Sequence, residues 1–357
     1  MKMAEPYGPK MDRQVPIVSV LLPIRNEVVH IQRCLAAVQA QDYPSERMDV
    51  LVIDGMSTDG TRESLQRMLA ADQKFPVYLF DNPAHIVPAA LNIGISKAKG
   101  EIIIRVDGHC EIAPDYISCC VGHLQAGEAD GVGGSVETIG ESWLSRGIAI
   151  AMSSSFGVGG STFRTTKEKQ LYTDTVPFPA FPIESIRRGG LYDEEMYCNE
   201  DDEYNYRLRK LGMKLLLASD IKSCYYCRGS LSSLWRQYYK YGLWKVRILQ
   251  KHPRQMTLRQ FVPPVFVLAL LVSVLFAFFS VLRPLSIVIP LLYLLINLLA
   301  SIYTASKRGW VYLSLLPIVF TILHVSYGSG FLVGLIKFAG RWGDRSSKVP
   351  AFQPGLE

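Results

Sequence analysis

The chain has 357 residues and a net charge of +6, long enough for one large domain with an appendage. Acidic residues outnumber basic ones in 1–220, yet no carboxylate stands between Asp220 and Asp344. The basic residues of that second part are interleaved with long apolar runs, which argues against nucleic acid as a partner and points to an anionic membrane surface.

Residues 1–15 are polar and lack the pattern of a secretory signal, so the acidic domain is expected on the cytoplasmic side of the cell inner membrane. "IVSVLLPI" (17–24) is a short β-branched run ending near proline and predicts a buried strand. "VVHIQRCLAAVQAQ" (28–41) has helical spacing, "MDVLVID" (48–54) is a second strand, and "DGTRESLQRMLA" (59–70) a second helix with Asp59 as N-cap. "VYLF" (77–80), "IVPAALNIGISKA" (86–98) and "EIIIRVD" (101–107) repeat the scheme. Such alternation predicts a parallel sheet with helices on both faces, and ligands beyond the carboxyl ends of its strands. Polar residues gather at those ends: Arg25, Asn26 and Glu27, then Asp54, then Asp107 and His109. One strand-end aspartate is usually a turn residue, but three acidic positions in register mark a site.

After residue 140 the pattern loosens. "FGVGGSTFRTTKEKQLYTD" (156–174) is glycine-rich and then basic, and reads as a mobile loop. "NEDDEYNYRLRKLG" (199–212) predicts a helix opened by four acids and ended by Gly212; acids suit a helix N-terminus, but four exceed what a cap needs. "SLWRQYYKYGLWKVRILQKHPRQMTLRQ" (233–260) reads as an amphipathic interfacial segment, with Lys240, Lys245, Arg247 and Lys251 expected to meet anionic headgroups. Three uncharged runs follow, at 261–282, 284–305 and 310–336, each long enough to cross a bilayer at about 20 residues per span. Three crossings would put Lys337, Arg341, Arg345 and Lys348 outside, against the positive-inside tendency. The third run is interrupted by Gly328, Gly330 and Gly334, so it could fold back or lie in the interface, and a cytoplasmic C-terminus is expected. The seven cysteines follow no recurring spacing and read as reduced thiols.

"VSVLLPIRNE", "VLVIDGMSTDGT", "ALNIGISKAKGEIIIRVDGH" and "NEDDEYNYRLRKLG", in this order and spacing, resemble family 2 inverting glycosyltransferases of GT-A fold, a Rossmann-like α/β class with a mostly parallel sheet. The nearest flavour is the succinoglycan-biosynthesis glucosyltransferase group. The resemblance implies a GT-A domain over 16–225, an interfacial segment over 226–260, membrane helices over 261–340 and a tail over 341–357. It implies that Pro23, Arg25 and Glu27 line the nucleotide pocket, Glu27 near the ribose, and that Asp54 reads the base, most often uracil. Asp107 and His109 would occupy the metal–diphosphate position. Asp201 of the Glu200-Asp201 pair would be the catalytic base. Gln237, Lys240 and Tyr241 fall where polymerising relatives have Gln-x-x-Arg-Trp; the degraded pattern puts processive synthesis in doubt.

The chemistry required is consistent with these residue types. A nucleoside-diphosphate leaving group carries about two negative charges, which a divalent cation would neutralise as a Lewis acid. Mg²⁺ prefers oxygen, whereas imidazole also suits Mn²⁺. Asp107 is the anchoring ligand on this reading, and His109 completes the site, bonds the diphosphate directly, or is a turn residue. Arg164 in the glycine-rich loop would meet the diphosphate. The function expected is sugar transfer from a nucleotide sugar, UDP-linked by analogy, to a polyprenyl-diphosphate-linked saccharide. A polyprenyl-phosphate sugar synthase and a non-catalytic nucleotide-sugar-binding membrane protein are the alternatives; an intact Glu200-Asp201 speaks against the latter.

Overall fold

Three parallel strands, Val18–Ile24 (β1), Met48–Asp54 (β2) and Val77–Asp81 (β3), are linked by helices Ile31–Gln39 (α1) and Thr61–Leu69 (α2). Helix Val87–Lys97 (α3) returns the chain to Ile102–Arg105 (β4), which pairs in parallel on the other side of β1. These are the elements expected from the apolar runs, with one local difference. Gly60, at φ 96°, caps α2, while Asp59 accepts from the backbone N–H groups of Val28 and Thr61. The computed structural model describes residues 15–159 and 170–352.

The second half adds short Cys110–Ile112 (β5), helix Tyr116–Gln125 (α4), strand Gly131–Ile139 (β6) and helices Trp143–Met152 (α5) and Ser155–Val158 (α6). Leu171–Tyr172 (β7), Ala180–Pro182 (β8), helices Ile183–Gly189 (α7) and Glu200–Lys210 (α8), and strand Leu215–Tyr226 (β9) complete the domain. The strands form one nine-stranded sheet in the order β3-β2-β1-β4-β8-β6-β9-β5, with β7 paired on β9. Pairing turns antiparallel at β8, so the sheet is mixed beyond β4. The β6–β9 register slips at Gly134, where an added Cβ would lie 1.9 Å from the Ile221 carbonyl oxygen, so no larger residue fits the bulge.

Alternation along the strands separates two cores. Val20, Leu22, Val50, Val52 and Ile104 pack with Leu35 and Val38 of α1 and Ile117 of α4. Leu21, Leu51, Ile53 and Ile103 face Leu91 and Ile95 of α3 and Tyr204 and Leu208 of α8. The first core continues into the C-terminal helices. Leu234 and Tyr238 of Leu231–Lys251 (α9), and Val319, Phe320 and Leu323 of Leu316–Lys337 (α12), belong to it. Between them lie Val262–Phe276 (α10) and Arg283–Arg308 (α11). Among the described residues, three helices, Leu258–Phe276, Arg283–Arg308 and Leu316–Lys337, are long and apolar enough to cross a membrane.

The polar side of α9 corrects one expectation. Lys245, Arg247 and Lys251 are 5%, 0% and 4% exposed and cannot meet headgroups. Lys245 pairs with Asp202, Arg247 with Glu195 at 2.7 Å and Asp344 at 3.1 Å, and Lys251 with Asp193 and with Glu195 at 2.7 Å. Buried cations need such partners, and the acids of 193–202 provide them. Lys240 alone of the four is exposed, over the Tyr197 ring at 5.2 Å. All seven cysteines are free thiols.

Candidate active site

The site is built where β1, β2 and β4 end together. β4 leaves β1 after the Leu21–Arg105 pair, so Pro23 lies past that ladder and its missing N–H leaves no gap in it. The turns after β1 and β2 are laced. Asn26, at φ 56°, donates its N–H to Ser57 Oγ and accepts from Thr58 N–H; Glu27 N–H donates to Thr61 Oγ1. The turn after β3 joins through His85, at φ 60°, whose Nδ1 is 2.9 Å from the Gly55 carbonyl and whose own carbonyl accepts from Arg25 at 3.2 Å. Met56 (φ 55°) and Asn199 (φ 61°) share this conformation. Among the described residues, four of the five non-glycine residues with positive φ thus flank the three strand ends or open α8, which is where strained backbone is usually retained for function.

Asp54, expected to read the base, is fully enclosed. Ser57 donates to it from Oγ at 2.6 Å and from N–H at 3.1 Å, and Arg62 reaches it at 3.3 Å while pairing with Asp81 at 2.6 Å. It therefore shapes the loop and places the Arg62 guanidinium.

Asp107 and His109 are held by different partners. Arg105 donates to both Asp107 oxygens, at 2.7 and 3.1 Å, and its Nη2 also reaches Glu200 Oε1 at 3.1 Å. His109 Nδ1 lies 2.8 Å from Glu27 Oε1, and the ring stands edge-on to Tyr225 at 5.0 Å. A carboxylate only accepts, so Nδ1 carries the proton and the Nε2 lone pair is left for a ligand. That is the arrangement in which proteins orient a metal-binding imidazole. Glu27, expected near the ribose, is in this structure the carboxylate that fixes His109.

Helix α8 brings the acids to the same place. Glu200 is buried, and that burial, with the Asp201 and Asp107 carboxylates nearby, pushes it up to about 7 against the pull of Arg105. Asp201 is exposed to solvent yet closely surrounded; partial desolvation and the adjacent Asp202 carboxylate raise it as well. Its Oδ1 accepts from Asp202 N–H at 2.8 Å, while Asp202 is held by Lys245. Glu203 pairs with Arg207 at 2.9 Å and His252 at 3.1 Å. The four acids thus divide: Asp202 and Glu203 are spent on cations from other helices or the next turn, and Asp201 is left accessible.

Gln237 donates to Tyr225 and Tyr241 hydroxyls at 3.1 and 2.9 Å, so it touches the ring that abuts His109. Arg164 lies outside the described residues. Arg105 was not among the expected site residues. Its signal was present: a charged residue inside "EIIIRVD" must find a carboxylate once the strand is buried.

Comparison with known proteins follows the same lines. The model of "Glycosyl transferase family 2" matches residues 19–193. The chain carries a family 2 glycosyltransferase domain. It is 29% identical over 324 residues to the succinoglycan biosynthesis protein ExoA of Rhizobium meliloti, covering 90% of this chain and 96% of that one. It is 28% identical over 326 residues to a dolichyl N-acetyl-α-D-glucosaminyl phosphate 3-β-D-2,3-diacetamido-2,3-dideoxy-β-D-glucuronosyltransferase of Methanococcus voltae, covering 90% and 97%. Among solved structures, the mannosyltransferase PcManGT of Pyrobaculum calidifontis, in complex with GDP-Man and Mn²⁺, superposes with a TM-score of 0.58 at 17% identity, covering 91% of this chain and 88% of that one. The fold is GT-A.

Proposed function

We propose that the protein is a membrane-anchored inverting glycosyltransferase that moves a sugar from a nucleotide donor, uridine-linked, to a saccharide on a polyprenyl diphosphate. The observation that carries this reading is the linkage of the donor and acceptor sides through one side chain: Arg105 bonds Asp107 at the end of β4 and Glu200 at the start of α8. A donor diphosphate beside Asp107 and His109 would present its sugar towards the exposed carboxylate of Asp201. The relatives in succinoglycan assembly and in dolichyl-linked glycan synthesis support a lipid-linked acceptor.

The residues present fit a divalent cation. His109 offers Nε2, and each Asp107 oxygen keeps a lone pair beside its bond to Arg105. Among the described residues no cluster of three or more His, Cys, Asp or Glu side chains forms a complete cage, so diphosphate oxygens would complete the shell, as is usual for Mg²⁺ and Mn²⁺ sites on phosphates. When bound, the cation supplies charge neutralisation at the departing diphosphate. Asp201 accepts the proton of the attacking hydroxyl as the new bond forms on the face of the anomeric carbon opposite the leaving group. Arg105 aligns Asp107 and offsets the charge that Glu200 would otherwise add. Arg25, held by His85, lines the nucleotide side; Gln237 and exposed Lys240 lie on the acceptor side.

The test is transfer of radiolabelled sugar from a panel of nucleotide sugars to a membrane lipid extract. A diphosphate-linked oligosaccharide product supports the reading. A monophosphate-linked sugar would make the protein a polyprenyl-phosphate sugar synthase, and absence of any product across the panel would leave a binding protein.

A further inference from the structure

We infer that the chain meets the bilayer through the α10–α11 hairpin alone, and that α12, although also long and apolar enough to cross, is a helix of the catalytic unit. The inference stands apart from which sugar or acceptor the enzyme uses.

α12 touches the catalytic domain at both ends. Just before its first turn, Leu315 packs on Gly147 of α5, close enough that an added Cβ there would lie 2.3 Å from Leu315 Cδ2. His324 Nε2 is 2.8 Å from the Phe156 carbonyl of α6, and Phe156 meets Phe320 edge-on at 5.0 Å. At the far end the Phe338 carbonyl accepts from Gln250 of α9 at 2.8 Å, and just beyond it Arg341 pairs with Glu195 of the catalytic domain. A helix whose two ends rest on one globular domain cannot have those ends on opposite faces of a membrane. Buried residues make up 44% of its apolar window, against 17% for the α10 span and 11% for α11.

The glycines that interrupt the third run explain the fit. An added Cβ would lie 2.0 Å from the Tyr239 carbonyl oxygen at Gly330 and 2.7 Å from the Leu243 carbonyl oxygen at Gly334. On the facing helix, Gly242 would bring a Cβ within 2.0 Å of the Tyr327 carbonyl oxygen. Here α9 and α12 lie backbone against backbone, and the contacts advance together from Tyr239 beside Gly330 to Gln250 beside Phe338. Were α12 to cross, α9 would be drawn into hydrocarbon with Lys245, Arg247 and Lys251. Cations within a span are strongly disfavoured.

The hairpin is the opposite case. Near its base it touches α12: Gly328 meets the Pro263 carbonyl, Asn297 donates to the Pro317 carbonyl at 3.0 Å, and the Tyr293 hydroxyl lies 3.1 Å from His324 Nδ1. Its tip is exposed, Phe278 by 79% and Val281 by 86%. The 19 residues from Leu258 to Phe276 rise about 28 Å, close to the thickness of a bilayer core. Two crossings return the chain to the side of the active site. There Arg341 pairs with Glu195, Lys348 N–H donates to Asp193 at 2.8 Å, and Val349 and Phe352 pack on the second core. The basic end thereby lies on the catalytic side, as the positive-inside tendency requires.

The test uses the full-length chain in its membrane, with an epitope at the N-terminus and either Val281→Cys or exposed Ser347→Cys. A membrane-impermeant maleimide is applied to right-side-out and to inverted vesicles, and labelling is read as the excess over the parent chain, whose seven free cysteines set the background. Val281→Cys is expected to label only from the face opposite the N-terminal epitope, and Ser347→Cys only from the same face as that epitope. Alkaline carbonate is expected to leave the chain in the pellet. Labelling of Ser347→Cys from the opposite face would mean three crossings and overturn the inference. Labelling of Val281→Cys from the epitope face, or release by carbonate, would overturn it by showing no crossing. Protease added to unmodified inverted vesicles gives an independent check, since it should remove both termini and spare one fragment around 262–304. None of these outcomes depends on transfer activity.

Discussion

Arg105 Nη2 lies 3.1 Å from Glu200 Oε1, joining residues 95 positions apart in sequence, the end of a strand to the first turn of a helix. The same guanidinium holds both oxygens of Asp107, so one cation sits among three acids that would otherwise repel a diphosphate. Replacing it should be felt on both sides. Arg105→Met is expected to lower kcat/KM by roughly 10²-fold, in the range lost when a positioned electrostatic partner is removed. It should also move the acid limb of the pH–rate profile upward, because carboxylates lose their neighbouring cation. An acid limb unchanged from wild type would show that Arg105 is structural only.

Asp201→Asn tests the base. Turnover should fall by about 10²–10⁴-fold, the usual worth of general-base catalysis, with nucleotide affinity little changed by calorimetry. Wild-type turnover in this variant would move the role to Glu200.

Glu27→Gln tests the positioning of His109. A glutamine can present its NH₂ to Nδ1 and favour the other tautomer, taking the Nε2 lone pair away. Mn²⁺-dependent binding of nucleoside diphosphate should weaken about 10–100-fold, the usual cost of losing such a partner. His109→Ala should weaken the same binding and shift preference towards Mg²⁺, and an unchanged metal profile in His109→Ala would show that the ring is not a ligand.

Glu200 gives the stability of the folded chain a pH dependence with a definite sign. Its folded pKa of about 7 lies above that of an unfolded glutamate, near 4.3, so between those values the folded state binds more protons. Its contribution to stability therefore falls as pH rises through that window. Glu200→Gln should unfold at a higher temperature relative to wild type at pH 8 than at pH 5, measured in detergent by scanning fluorimetry. A difference independent of pH would place Glu200 in contact with solvent.

A chain ending near residue 225 tests where the domain ends. It removes Leu234, Tyr238, Phe320 and Leu323 from the main core, uncovering Ile148, Ala151 and Met152. It should aggregate or bind a hydrophobic dye, seen by gel filtration and fluorescence. A monodisperse, cooperatively unfolding fragment would show that the C-terminal helices are only an anchor.

Sequence patterns revealed the first half of the fold because β1, β2 and β4 are buried on both faces and read as unbroken apolar runs. The strand-end residues followed from that, and Asp107, His109 and Asp201 could be named. Their partners could not. Which carboxylate a buried arginine takes, or whether Glu27 turns to a ribose or to His109, depends on loops that meet only in three dimensions. Composition misled most at α9, whose cations look like surface charges until the acids of 193–202 are seen beneath them.

Helix α12 fills a core whose first strands are made some three hundred residues earlier in the chain. The catalytic domain therefore cannot reach its final packing until the hairpin upstream of α12 has been made. If the protein transfers sugar as proposed, an enzyme stopped short of that hairpin would have an unfinished core beneath its active site.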